Sequence, residues 1–99
     1  MGKETTKEEQ ILISITGQDR PGLTASVTEI LADHNAKILD IGQADIHSTL
    51  SLGILIRIDE SQSGQVMKEL LFKANELGVN IGFSPIGDEQ YEDWVGRQG

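Results

Sequence analysis

The sequence predicts an α+β domain of ferredoxin-like type, a four-stranded antiparallel sheet with two helices on one face. Three observations lead there. Apolar residues recur along the chain with strand, helix, strand, strand, helix and strand periods in turn, which is the split βαβ order. The two middle strands follow each other with only a short polar turn between them. The length, 99 residues, suffices for one two-layered core and is too short for two domains.

The elements follow in order. Ile11, Ile13 and Ile15 alternate as a first strand. From Pro21 to Asn35, Leu23, Val27, Ile30, Leu31 and His34 make a helical stripe, with Asn35 as its stop. Residues 36–47 are extended, but Asp40 and Gly42 break the alternation. A bulge near Asp40, Ile41 and Gly42 would account for this, with Leu39 and Ile41 on the face away from Ala36 and Ile38. Ser48 and Thr49 mark the hairpin turn. Leu50, Leu52, Ile54, Ile56 and Ile58 then give the cleanest strand, before a loop over residues 59–64. The second helix carries Val66, Met67, Leu70, Leu71, Ala74 and Leu77, closed by Gly78. Val79, Ile81 and Phe83 form a last strand, ended by Pro85. Residues 1–10 are polar and read as a disordered tail. Residues 88–99 read as a short acidic helix or linker toward a following domain, with Tyr91, Trp94 and Val95 on one side.

Composition narrows the function. The formal charge is −8, which opposes binding to nucleic-acid phosphates or anionic membrane surfaces. With no cysteine there is no disulfide, thiol nucleophile or cysteine-ligated metal. No apolar run approaches the roughly 20 residues needed to span a bilayer, and the start lacks a secretory apolar region, so the cytoplasm is the expected location. The central strands lack the aromatic side chains on which RNA-recognition sheets stack bases. His34 and His47 have no partners at metal spacing, so no metal site is expected. Arg20 lies where acylphosphatases carry a phosphate-cradling arginine, but their glycine and valine pattern is missing. No nucleophile–base pair stands out, and no catalytic residue is expected.

Residues 16–23, TGQDRPGL, lie between the first strand and the first helix. Asp19 suits an N-cap accepting from the Gly22 N–H, and Pro21 suits a first turn. Gly22 would then sit inside the helix, where glycine costs about 1 kcal/mol relative to alanine. Two reasons for it stand open: a ligand approaching the free N–H groups, or tight packing of the helix on a neighbour. A helix N-terminus takes a carboxylate and Asp19 an ammonium group, so the loop suits a small amino acid. Leu39, Ile41 and Leu55 point to the face without helices and mark an association surface.

The run Ile13-Ser14-Ile15-Thr16-Gly17-Gln18-Asp19-Arg20-Pro21-Gly22-Leu23, continued by Ile30-Leu31-Ala32 and Ile38-Leu39-Asp40-Ile41, resembles the opening of ACT domains across residues 11–87. Residues 38–47, followed by Leu50-Ser51-Leu52-Gly53, resemble the first ACT domain of bacterial tandem-ACT phosphoserine phosphatases. This resemblance implies a regulatory, amino-acid-binding module of serine biosynthesis that pairs with a second copy or a neighbouring ACT domain. Serine or glycine would be the ligand. Gly17, Gln18, Asp19, Arg20, Pro21, Gly22 and Leu23 would form the ligand loop, with Lys37 and Leu39 beside it. The aspartate nucleophile motif of the phosphatase domain is missing, so magnesium and catalysis would belong to a separate domain. Regulators of glycine-cleavage control open similarly, and an interaction module of that kind is the alternative.

Overall fold

The computed structural model describes residues 7–86, and the acidic helix or linker expected at residues 88–99 lies outside them. The elements are β1 (Glu8–Gln18), α1 (Leu23–Asp33), β2 (Lys37–Ile46), β3 (Thr49–Asp59), α2 (Glu60–Leu77) and β4 (Asn80–Ile86). The strands form one antiparallel sheet in the order β2-β3-β1-β4. The predicted ferredoxin-like fold is the one observed.

Alternation decides the core. Ile11, Ile13 and Ile15 of β1 and Leu50, Leu52, Ile54, Ile56 and Ile58 of β3 are all buried on the helix side. They meet Leu23, Val27 and Leu31 of α1 and Val66, Leu70 and Ala74 of α2. Each such side chain contributes about 1.5–3 kcal/mol by leaving water, set against the entropy of ordering it. Leu71, expected on this stripe, instead faces outward with Phe72, beside Lys68 and Asn75.

Several boundaries differ from expectation. β1 begins at Glu8, so residues 8–10 belong to the sheet rather than to a polar tail. The Glu60 N–H donates to the Lys7 carbonyl at 2.8 Å, which ties this start to α2. No loop precedes α2, because the Asp59 carboxylate accepts from the Ser61 N–H at 3.0 Å and caps the helix directly off β3. Pro85 does not end β4; it pairs with Ile11 within the strand. β4 is an edge strand, where a residue without an N–H is tolerated. His47 and Ser48 make the two-residue hairpin turn, His47 with a positive φ of 60°.

The bulge in β2 lies between Ile38 and Asp40, earlier than expected. One residue of shift exchanges the faces of everything after it. Ile41 therefore stands opposite Ile54 on the helix side of the sheet, not with Leu55 on the open face. It remains 46% exposed, on an edge strand beyond the helices' cover. Leu39 is the inserted residue, half-buried and opposite Leu55 together with Asp40.

Candidate functional site

The loop after β1 sits at the hairpin end of the sheet, where Gln18 pairs with Thr49. Gly17 is there because Val79 presses on it: a Cβ at Gly17 would stand 2.8 Å from Val79 Cγ1 and 3.2 Å from its Cα. The Asp19 N–H donates to the Ser48 carbonyl at 3.0 Å, pinning the loop to the hairpin turn. Pro21 is exposed, and Leu23 is buried in the core as the anchor of the helix start.

Gly22 is not inside α1, and Asp19 does not cap the helix. Gly22 is itself the N-cap, left-handed at φ 82°, ψ 0°. The need is conformational, since glycine reaches that region at no steric cost. Tight packing within the chain is not the reason, because a Cβ there would meet nothing within 4 Å. The Arg20 carbonyl accepts from the Leu23 N–H at 3.2 Å, and the Gly22 carbonyl from the Ser26 N–H at 2.9 Å. No side chain caps the helix. Among the described residues, no hydrogen bond uses the N–H groups of Gly22, Thr24 and Ala25. They stand at the positive end of a helix, an arrangement suited to a carboxylate.

The loop carries charged groups of both signs, Asp19 and Arg20. Arg20 reaches the other helix: its Nη2 lies 3.8 Å from where a Cβ of Gly78 would stand, at the C-terminal cap of α2. The negative end of that helix favours a cation. Among the described residues Arg20 makes no ion pair. Desolvation first, and then the neighbouring Asp45 carboxyl, raise Asp19 above its ordinary pKa. Two carboxylates held together without a cation favour protonation; an ammonium group between them would relieve this.

Lys37 and Leu39 are not beside the loop. Lys37 pairs with Arg57, eight residues along β3 from Thr49, which is about 27 Å. α1 returns the chain to the far end of the sheet before β2 begins. Asp45, Ser48 and Gly78 stand at the loop instead. No motif marked them, because they arrive from three separate elements. Asp45 could have been located only with the hairpin turn placed at His47 and Ser48, which sets its pairing with Leu50. His34 closes α1, with Nε2 2.9 Å from Glu69 Oε2 and Nδ1 3.2 Å from Gln62 Oε1. Among the described residues, no three metal-binding side chains cluster.

The family model of the ACT domain matches residues 9–84. The chain belongs to the ACT domain family. ACT domains are regulatory rather than catalytic modules. A UPF0237 protein of Methanopyrus kandleri is 33% identical over 72 residues, 71% of this chain and 80% of that protein. Phosphoserine phosphatase SerB2 of Mycobacterium tuberculosis is 41% identical over 80 residues. That match covers 79% of this chain and 20% of the enzyme. A putative glycine cleavage system transcriptional repressor superposes with a TM-score of 0.77 at 20% identity, over 81% of this chain and 47% of that one. An ACT domain protein from Streptococcus pneumoniae gives 0.67 at 23% identity, over 78% and 89%. At these identities the structures show the shared fold alone.

Proposed function

We propose that this ACT domain binds a small amino acid, serine or glycine, at the N-terminus of α1, and regulates a phosphoserine phosphatase of serine biosynthesis in the cytoplasm. The carrying observation is the uncapped start of α1, preceded in the loop by Arg20 and by Asp19, which lies beside Asp45. The ligand carboxylate would take the N–H groups of Gly22, Thr24 and Ala25, while the two aspartates hold its ammonium. The 41% identity to the SerB2 enzyme favours the phosphatase over a glycine-cleavage regulator, whose likeness is one of fold.

The reading includes pairing with a second copy or a neighbouring ACT domain. Leu55 is only 8% exposed and offers little to an interface, whereas Ile41 and the 69%-exposed Ile46 lie on the β2 edge. An exposed apolar edge strand invites another strand. Antiparallel pairing of two β2 edges about Ile41 and Gly42 would bring Lys37 of a second copy level with Ile46, close to the loop. That arrangement would give Lys37 the ligand-side place that a single chain denies it.

The test is thermal unfolding in the presence of each amino acid. A ligand that binds only the folded state adds about 2.7 kcal/mol at a hundred times its Kd. Serine or glycine should raise Tm in the native chain, and Arg20→Ala with Asp45→Asn should abolish the shift. No shift for any amino acid would refute the binding site.

A further inference from the structure

The sheet has two edge strands, β2 and β4, and they are guarded differently. The pairing decides which backbone groups each edge exposes. Pro85 stands opposite Ile11 and has no N–H to give β1, so that pair is not of the hydrogen-bonded kind, and Ile11 turns its N–H and carbonyl toward Ile56. Alternation then makes Ile13–Ile54 and Ile15–Leu52 bonded pairs as well. Ile54 and Leu52 face β1, so their β2 partners, Ile41 and Gln43, turn their N–H and carbonyl groups outward. On β4 the same alternation turns Ile81, Phe83 and Pro85 outward, and Pro85 interrupts the row of donors at that edge.

β2 has no proline. Its guard is a carboxylate: the Ile41 N–H donates to Asp40 Oδ1 at 2.9 Å, which agrees with its turning away from β3. Ile41 and Gln43 stand on either side of Gly42. A two-fold axis at Gly42 would therefore set Ile41 of each copy opposite Gln43 of the other, each such pair exchanging two N–H···O=C bonds. The same axis sets Asp40 opposite Ala44, both on the open face. The edge is self-complementary, which makes a second copy the occupant it fits. That pairing needs the Ile41 N–H, and Asp40 holds it.

We propose that Asp40 gates the β2 edge: its carboxylate occupies a donor that the pairing uses in both copies, and must release it before the second β2 adds. The gate rests on the pairing of two copies and adds its control. A bond to a carboxylate is stronger than the bond to a carbonyl that replaces it, so each copy gives something up on pairing. A charged side chain on an exposed edge strand opposes unwanted strand addition. Pairing of the native chain is therefore weak, and it tightens when the carboxylate is removed.

Sedimentation equilibrium of the 99-residue chain, without added amino acid, reads the dimer Kd. Asp40→Ala should lower it about tenfold, since each copy no longer breaks a charge-assisted bond. Glu29→Ala removes the same charge from an exposed position on α1 and should leave Kd unchanged. Ile41→Pro and, separately, Gln43→Pro remove an outward N–H without touching the β3 ladder. Each, added to Asp40→Ala, should return the chain to monomer, with far-UV circular dichroism confirming the fold. An unchanged or raised Kd in Asp40→Ala would overturn the gate and leave the pairing standing. An equal gain in Glu29→Ala would overturn it by making net charge the cause. Dimers that survive both proline variants would overturn it by placing the contact away from β2. Monomers in both the native chain and Asp40→Ala would overturn the pairing itself, and the gate with it.

Discussion

The two helices begin in opposite ways. At α2, Asp59 supplies a carboxylate to the Ser61 N–H, Glu60 adds a negative charge in the first turn, and the Ser63 hydroxyl donates to the Glu60 carbonyl at 3.0 Å. At α1 there is a left-handed glycine, no side-chain cap and no acid in the first turn. The same positive helix end is neutralised internally at α2 and left unanswered at α1. Capping is worth about 1 kcal/mol and is common at helix starts. Its omission at α1 leaves room for a negatively charged group from outside.

The largest way to break this contrast is Gly22→Ala. The methyl meets open space, so the cost is the left-handed backbone alone, about 1–2 kcal/mol. Gly22→Asn should recover part of it, since asparagine tolerates that conformation. Urea unfolding should show both, with little change in the m-value. Asp59→Ala comes next. It should lose about 1 kcal/mol of stability by the same measurement and leave any amino-acid affinity unchanged, because α2's start lies at the other end of the sheet.

The smallest effect sharpens the comparison at the helix ends. Hydrogen bonding to Gln62 first, and then the Glu69 carboxylate, hold His34 above its ordinary pKa of 6.5. Gln65 and His34 hold Glu69 below its ordinary 4.5. The His34 contribution is therefore complete below pH 6.5 and fades as pH rises through the folded value. The Glu69 contribution is present above 4.5 and fades as pH falls through its folded value. Their link between α1 and α2 should be strongest between about pH 4.5 and 6.5. A Tm profile across this range should show the rise, and His34→Ala should flatten it.

The fold was legible because period is robust. Alternation in β3 and the stripes of both helices survive errors of a residue or two. What failed depended on single residues. The two-residue turn uses His47 and Ser48, neither a usual turn signal, and the bulge at Leu39 cannot be told from one two residues later until β3 fixes the register. Pro85 reads as a terminator unless β4 is known to be an edge. The loop between β1 and α1 was legible as a boundary, but the conformation of its residues was not. Gly22 is identical in sequence whether it sits within the helix or caps it, and Asp45 reaches the loop only through tertiary structure.

The most direct measurement is a titration of serine, and separately of glycine, into ¹⁵N-labelled protein, following the amide resonances at both helix starts. Carboxylate binding at α1 predicts saturable shifts at Gly22, Thr24 and Ala25 for at least one of the two, with Ser61 and Ser63 at the start of α2 unmoved. Unmoved resonances at Gly22, Thr24 and Ala25 at millimolar concentrations of both amino acids would contradict it.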